Sequence, residues 1–231
     1  MGTTVTMTAA DGSGTYTGYL ATPEGGKGPG VVVLQEIFGV NDVMRGICDW
    51  LAGEGFTALC PDLFWRIEPN IEITDKTDAE WARAFELFQA FDVDKGMEDA
   101  GTAVDFLRLH HASTGKVGSI GYCLGGRLAY LAATRTSVDA SVGYYGVMLT
   151  EHLNEVFKAP LMLHIATQDE YAPAEAQKAI HEALDDNGKV TLFDYEGREH
   201  AFAREGGAHY HDFDAKLANG RSLNFLHSHL G

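Results

Sequence analysis

Residues 117–126 read Val117-Gly118-Ser119-Ile120-Gly121-Tyr122-Cys123-Leu124-Gly125-Gly126. The first half of this segment is a short apolar run typical of a buried strand, and a helical pattern over Leu124–Arg135 follows with almost no loop between them. So sharp a turn lifts its central side chain, that of Cys123, above the sheet. Glycines are needed on both sides of the turn, because a Cβ there would collide with the crossing backbone.

Cys123 therefore occupies the position of the reactive side chain in a nucleophile elbow. The positive N-terminal end of the following helix lies beneath such a residue, which favours a thiolate and a developing oxyanion. The alternative is a small buried hydrophobic residue, which is what free cysteines usually are. The strand–turn–helix context favours the nucleophile. Cys48 and Cys60 lack that context and are interpreted as structural.

Outward from the elbow, apolar runs alternate with helical patterns, which predicts βαβ units and a mainly parallel sheet flanked by helices. We interpret residues 1–231 as one α/β domain. The predicted strands are Thr3–Thr8, Thr15–Ala21, 31–34, 57–60, 117–121, 140–145, Leu161–Ala166 and Val190–Tyr195, the first two forming a hairpin. The predicted helices are 42–54 with an Asn41 cap, 78–91, 95–111, Leu124–Arg135, 173–187 and Asp212–Leu230. Residues 62–76 form a long loop of the kind that often shapes a binding site.

Composition narrows the class of partner. The chain has 231 residues, with 17 Lys and Arg against 33 Asp and Glu, giving a net charge of −16. Like charge disfavours nucleic acid and anionic membranes as partners, and no apolar run reaches the roughly 18 residues of a membrane span. The N-terminus has no signal-peptide pattern, and three widely spaced cysteines suit reduced thiols, so we expect a cytoplasmic protein and a small-molecule substrate.

A cysteine nucleophile needs a base, and the base needs an orienting group. Among ten histidines, His200 follows the last predicted strand in a loop from which it can reach over the sheet edge. His164 lies within a strand, where core packing is favoured. The acid candidate is Asp169, directly after a strand, with Glu170 as its nearest rival. The order Cys, Asp, His along the chain is that of α/β-hydrolases.

Glu36 follows a buried strand directly, and a carboxylate there costs free energy unless it is paired. It is either a capping or loop residue bonded to backbone amides, or a carboxylate beside Cys123 that controls thiol ionisation by its charge. The next residue, Ile37, can supply a backbone N–H that pairs with that of Leu124 as an oxyanion hole.

Four motifs together resemble the dienelactone hydrolase (carboxymethylenebutenolidase) family from about residue 30 to the C-terminus. They are Gln35-Glu36-Ile37-Phe38-Gly39, Gly121-Tyr122-Cys123-Leu124-Gly125-Gly126, Val142-Gly143-Tyr144-Tyr145-Gly146 and His200-Ala201-Phe202-Ala203-Arg204. The resemblance implies a lidless α/β-hydrolase with a Cys123–His200–Asp169 triad and Glu36 as its thiol-controlling carboxylate. It also implies opening of an enol-lactone ring without a metal or organic cofactor, with Phe38 and Tyr145 at the substrate.

The resemblance also implies that two arginines grip a substrate carboxylate. Arg204 matches one of them, and a guanidinium fork suits a carboxylate. Trp81 occupies the place of the other, and Arg83, two residues on, is turned by about 200° around the helix, so it is an uncertain substitute. With Phe85 and Phe88 nearby, the substrate pocket is predicted to be more apolar than in a dienelactone specialist. The alternative is that Trp81, Phe85 and Phe88 are a helix face packed on the core.

The predicted reaction is hydrolysis of enol-lactones or activated esters through a thioester, since a thiolate is displaced only by a good leaving group. One alternative is a flavodoxin-like cysteine-elbow amidotransferase, which would carry an acid where Phe202 stands. The other is a hydrolase scaffold that binds small carboxylates without turnover. The His209/His211 and His227/His229 pairs lack the companions of a zinc site, so no metal is expected. The acidic surface favours a monomer.

Overall fold

The computed structural model describes residues 2–231. An eight-stranded sheet has the strand order β1-β2-β4-β3-β5-β6-β7-β8. The strands are β1 (Thr3–Thr8), β2 (Thr15–Ala21), β3 (Gly28–Leu34), β4 (Thr57–Pro61), β5 (Ser113–Tyr122), β6 (Ala140–Tyr144), β7 (Leu161–Ala166) and β8 (Val190–Tyr195). The helices are α1 (Asp42–Gly53), α2 (Asp78–Ala90), α3 (Val93–Leu109), α4 (Leu124–Arg135), α5 (Ala174–Leu184) and α6 (Asp212–Leu230), with a 3₁₀ turn at Leu149–Glu151.

The predicted mainly parallel sheet is confirmed. β1 and β2 form the expected antiparallel hairpin, and β2 pairs antiparallel with β4. The remaining pairs, β4–β3, β3–β5, β5–β6, β6–β7 and β7–β8, are parallel. Because parallel strands point the same way, the loops after β3, β5, β6, β7 and β8 emerge at one edge of the sheet. That edge therefore collects the loops on which the candidate site residues were predicted.

Helix boundaries differ from the predictions where capping decides them. α3 begins at Val93 rather than residue 95, because the Asp92 side chain accepts the Lys95 backbone N–H at 3.0 Å and caps the helix there. The expected cap at Asn41 is present, since its side chain accepts the Met44 backbone N–H at 3.2 Å. α5 ends at Leu184, three residues before the predicted end at 187.

The helices pack in two layers. Buried residues of α1 and α6 form one apolar cluster against the sheet, and those of α2, α3, α4 and α5 belong to a second. Cys48 and Cys60 are fully buried in the first cluster, and burial raises the pKa of the Cys48 thiol. A thiol whose ionised form is disfavoured is unreactive, which agrees with the structural interpretation of these cysteines.

Residues 62–76 are held against the loop that follows β3. The Val40 N–H donates to the Ile71 carbonyl and the Ile73 N–H to the Phe38 carbonyl, both at 3.1 Å. Gly39 has a φ of 78°, and a Cβ there would approach the Ile71 oxygen to 1.9 Å, so this close contact requires glycine. No separate lid domain covers this edge within the described residues, and no helix among them is long and apolar enough to cross a membrane.

Candidate active site

Cys123 joins β5 to α4 in a strained conformation. Its φ is 57° and its ψ is −114°, a region that costs a residue with a side chain about 1–3 kcal/mol. The backbone holds it there, since the Cys123 N–H donates to the Tyr144 carbonyl at 3.1 Å. A Cβ on Gly121 would lie 1.9 Å from the Gly125 oxygen, and one on Gly125 would lie 2.0 Å from the Leu34 oxygen. The close approach of the backbone therefore explains both glycines. Backbone strain such as that at Cys123 is typical of functional sites.

The loops after β7 and β8 bring a histidine and an aspartate together. His200 Nδ1 lies 2.7 Å from Asp169 Oδ2, and both residues are buried. Asp169 is itself oriented, because its Oδ1 accepts the Tyr171 backbone N–H at 2.8 Å. Glu170, the rival acid, is exposed to solvent. The structure therefore brings Asp169, and not Glu170, to the histidine.

The surroundings of His200 favour its charged form. Burial alone lowers the pKa of an imidazole, but the negative charge of a Cys123 thiolate and the hydrogen bond to Asp169 outweigh it and raise the pKa of His200 to about 10. The imidazole can therefore hold the proton that Cys123 gives up, and Cys123 lines the same cavity.

Two backbone amides near Cys123 are available to a ligand. Neither the Ile37 N–H nor the Leu124 N–H has an acceptor among residues 2–231. Leu124 is the first residue of α4, where an amide has no partner inside the helix. Both residues are buried at the sheet edge that carries Cys123. The two amides are therefore candidates for an oxyanion hole.

A cavity of about 40 Å³ lies beside Cys123, and we call it the Cys123 cavity. Its lining consists of Ile37, Phe38, Trp81, Phe85, Phe88, Cys123, Val147, Tyr171, His200 and Arg204. Trp81 packs edge-on against Phe38 at 5.1 Å between ring centroids and stacks on Phe85 at 5.8 Å. Trp81 and Phe88 also pack against the hydrophobic core, so this face of α2 both lines the cavity and contacts the core.

Arg83 does not reach this cavity. Its guanidinium forms ion pairs with Glu68 and Glu86, at 2.6 and 2.8 Å, on the surface of the protein. The reason is the helical turn, since two residues place Arg83 on the side of α2 opposite Trp81. The candidate role of Arg83 in binding a substrate carboxylate is therefore corrected: Trp81 lines the cavity in its place.

Glu36 is paired with Arg204 rather than with the thiol. Glu36 is 2% exposed, and its Oε2 accepts from Arg204 Nη1 at 3.3 Å. Its Oε1 has no hydrogen-bond partner among the described residues. A hydrogen bond from the Cys123 thiol to this carboxylate is therefore not part of the structure. Because Arg204 is the hydrogen-bond partner of the Glu36 carboxylate among the described residues, any control of the thiol by Glu36 acts through charge.

Tyr145 faces a different space from the one expected. Its ring meets that of His200 edge-on at 5.1 Å, but the side chain lines a second cavity of about 410 Å³ together with Glu36 and Arg204. The Tyr145 hydroxyl has no partner among residues 2–231, and burial, with the Glu36 charge next, raises the pKa of this phenol. Tyr145 therefore packs against the His200 ring and does not line the Cys123 cavity.

Two residues that the sequence analysis did not select lie at the site. Tyr171 lines the Cys123 cavity with its ring 4.8 Å from that of His200. Its position two residues after Asp169, in the loop at a strand end, could have identified it. Asp75 Oδ2 accepts from Arg204 Nη2 at 2.9 Å. Nothing in the sequence identifies Asp75, because it lies 129 residues from its partner in a loop without periodicity.

Two of the other histidines have contacts that define their place in the structure. His164 is buried between Tyr195 and Ser222, as the core interpretation of this residue predicts. His209 is closer to the site than expected, since its Nδ1 lies 3.0 Å from the His200 carbonyl oxygen. Within residues 2–231, no group of three His, Cys, Asp or Glu side chains is arranged to hold a metal ion.

The chain is similar to known proteins over nearly its whole length. The sequence profile of the Dienelactone hydrolase family matches residues 16–230. The chain is 46% identical over 233 residues to the Azospirillum brasilense protein named "Putative carboxymethylenebutenolidase", covering 99% of this chain and 100% of that protein. It is 39% identical over 214 residues to a carboxymethylenebutenolidase of Pseudomonas putida, and the match covers 92% of this chain and 91% of that protein.

A solved structure supports the fold. The dienelactone hydrolase-like promiscuous phosphotriesterase from metagenomic libraries superposes with a TM-score of 0.83 at 24% identity, covering 100% of this chain and 99% of that one. The sheet order, the elbow at Cys123 and the family match agree. The chain therefore belongs to the dienelactone hydrolase family of α/β-hydrolases, and it is a carboxylic ester hydrolase of that type.

Proposed function

We propose that this chain hydrolyses enol-lactones or related activated esters with Cys123 as nucleophile, His200 as base and Asp169 as the orienting acid. The observation that carries the proposal is the 2.7 Å contact between Asp169 and a buried His200 beside the strained Cys123. A nucleophile, a base and an orienting carboxylate in one cavity are the elements of covalent acyl transfer.

In the proposed first step, His200 holds the proton of Cys123 and the thiolate attacks the substrate carbonyl carbon. The carbonyl oxygen becomes an oxyanion, which the Ile37 and Leu124 amides stabilise by about 3 kcal/mol each. The intermediate collapses to a thioester, and the departing enolate or alkoxide oxygen takes the proton from His200. Water activated by the same imidazole then hydrolyses the thioester and releases Cys123.

The leaving group determines which acyl compounds can react. A thiolate leaves a tetrahedral intermediate more readily than an alkoxide or an amide nitrogen. The intermediate therefore goes forward only when the departing oxygen is also a good leaving group, as in an enol-lactone or an aryl ester. We accordingly expect activated esters and enol-lactones to be substrates and peptides and simple amides not to be.

The experiment is hydrolysis of p-nitrophenyl acetate by the wild type and by Cys123→Ala and His200→Ala. We expect each substitution to lower kcat by roughly three orders of magnitude or more, because the nucleophile and its base act as a unit. His181→Ala is the matched control, since His181 is paired with Asp185 on the surface, and its activity should equal that of the wild type.

A second measurement identifies the covalent intermediate. Acid quenching during turnover followed by mass spectrometry should find the acyl group on the peptide that contains Cys123. Turnover retained in Cys123→Ala would refute the mechanism. Ester binding without turnover by the wild type would favour a non-catalytic binding protein, and release of ammonia from glutamine would favour the amidotransferase alternative.

A further inference from the structure

Among residues 2–231, Arg204 carries the only guanidinium or ammonium group in the lining of the Cys123 cavity, and two carboxylates already pair with this guanidinium. Its Nη1 donates to Glu36 Oε2 at 3.3 Å and its Nη2 to Asp75 Oδ2 at 2.9 Å. The Arg204 side chain is 11% exposed and its two partners 2% and 13%, so water screens these charges weakly. Each terminal nitrogen of the guanidinium therefore has a carboxylate partner before any substrate arrives, whereas the buried Nε–H has no partner among the described residues.

Asp75 also hydrogen-bonds Trp81, a second residue of the cavity lining. The indole N–H of Trp81 donates to the Asp75 backbone carbonyl at 3.1 Å. That bond fixes an aromatic ring against Phe38 on the cavity wall. One residue of the 62–76 loop thus neutralises the cation and orients the aromatic wall. The segment is held in place by its hydrogen bonds to the Phe38–Val40 backbone.

These contacts decide what charge the cavity accepts. A substrate carboxylate would join Glu36 and Asp75 as a third negative group around the Arg204 guanidinium. The other cation at Asp75, Lys76 at 3.2 Å, is 62% exposed and does not line the cavity. The substrate carboxylate would either add an unbalanced charge beside the remaining Arg204 N–H donors or displace one of two buried carboxylates, and both carry a desolvation cost. A neutral acyl group meets no such repulsion, and Trp81, Phe85 and Phe88 offer it apolar surface.

We infer that the Cys123 cavity selects uncharged, largely apolar lactones or activated esters over those that carry a free carboxylate, and that Asp75 sets this preference by occupying Arg204. The inference rests on the proposed function. Asp75 acts here as a positioning residue, since it touches Arg204 and Trp81 but does not itself line the cavity.

The experiment compares p-nitrophenyl pentanoate with mono-p-nitrophenyl glutarate, which differ only by a methyl group against a carboxylate at the end of the acyl chain. The wild type should favour the pentanoate in kcat/KM by about tenfold or more. In Asp75→Asn the glutarate-to-pentanoate ratio should rise by about tenfold, because one of the two negative charges that balance Arg204 is removed. The change should appear in KM for the glutarate, whereas misfolding would lower kcat for both esters.

Two further variants make the result unambiguous. Asp78→Asn removes the same charge from an exposed position nearby and should leave the ratio as in the wild type. Trp81→Arg adds a cation to the cavity wall and should raise the ratio even if Asp75→Asn does not fold. A wild type that prefers the glutarate, or ratios unchanged in both Asp75→Asn and Trp81→Arg, would overturn the inference while leaving Cys123 catalysis intact. Hydrolysis of neither ester would instead overturn the proposed function and this inference with it.

Discussion

Two buried histidines, His164 within β7 and His200 in the loop after the neighbouring strand β8, differ in their hydrogen-bond partners and in the direction of their pKa shifts. His200, after β8, has an ionisable thiol and a carboxylate as neighbours, and its pKa is raised to about 10. His164, within β7, hydrogen-bonds the hydroxyls of Tyr195 and Ser222 at 2.8 and 2.9 Å. Burial lowers the pKa of His164 to about 3, and the Arg221 cation acts in the same direction.

The difference shows that burial alone does not decide the protonation of a histidine. Desolvation opposes the charged imidazole at both sites, and at His200 it is outweighed because the partners are themselves negative or can become so. The hydroxyl partners of His164 satisfy its ring nitrogens without favouring a proton. One ring is therefore suited to move protons and the other to stay neutral in the core.

Removing the charge beside His200 should have the largest effect. In Asp169→Asn the amide keeps the shape of the carboxylate but can no longer stabilise an imidazolium, and it favours the wrong tautomer. We expect kcat for p-nitrophenyl acetate to fall by about 10³–10⁴-fold. Asp185→Asn is the control, because Asp185 contacts a surface histidine, His181, at 2.9 Å. Activity of Asp169→Asn within tenfold of the wild type would contradict the assigned role.

The contrast between the two rings can also be measured directly by NMR titration of the histidine side chains. In the wild type, His200 should stay protonated across pH 6–9, since its pKa is raised to about 10, and His164 should stay neutral. Cys123→Ala removes the neighbour that contributes most to the raised value, so the pKa of His200 should fall by about 1–3 units. His164 should not change. Titration of wild-type His200 near 6.5 would contradict this account.

The same contrast explains how much could be predicted from the sequence. The elbow, His200 and Asp169 could be predicted from the sequence because each follows a strand. Since these strands are parallel, their carboxyl ends place the three residues at the same edge of the sheet. His164 was assigned to the core by the same reasoning. These predictions needed only which residues lie on strands and which lie directly after them.

The environment of Arg204 could not be predicted in this way. Its pairing with Asp75 depends on how a loop without periodicity folds across the Phe38–Val40 backbone. The ion pair between Glu36 and Arg204 likewise joins two loops that lie 168 residues apart in the sequence. Contacts between distant loops are determined by packing and charge balance in three dimensions, and hydrophobic periodicity carries no information on them.

The smallest expected effect concerns the neutral ring, in His164→Phe. The phenyl ring fills the same space between Tyr144 and Phe193, but Tyr195 and Ser222 each lose a partner, so the free energy of unfolding at pH 7 should fall by about 1–3 kcal/mol. The pH dependence gives the sharper test. In the folded wild type the pKa of His164 is lowered to about 3, whereas an unfolded histidine titrates near 6.5. This histidine therefore contributes stability above pH 6.5 that is lost as the pH falls toward 3.

The variant has no such group, so its stability should decline less steeply below pH 6.5, by up to about 1.4 kcal/mol per pH unit. Urea unfolding of both proteins at pH 7, 6 and 5 measures the difference, which should shrink as the pH falls. His181→Phe serves as the control, because the pKa of that half-buried surface ring is raised by Asp185 and Asp194 and its contribution changes with pH in the opposite sense. Parallel declines of wild type and His164→Phe would mean that His164 is protonated in the folded protein, and the contrast with His200 would then be lost.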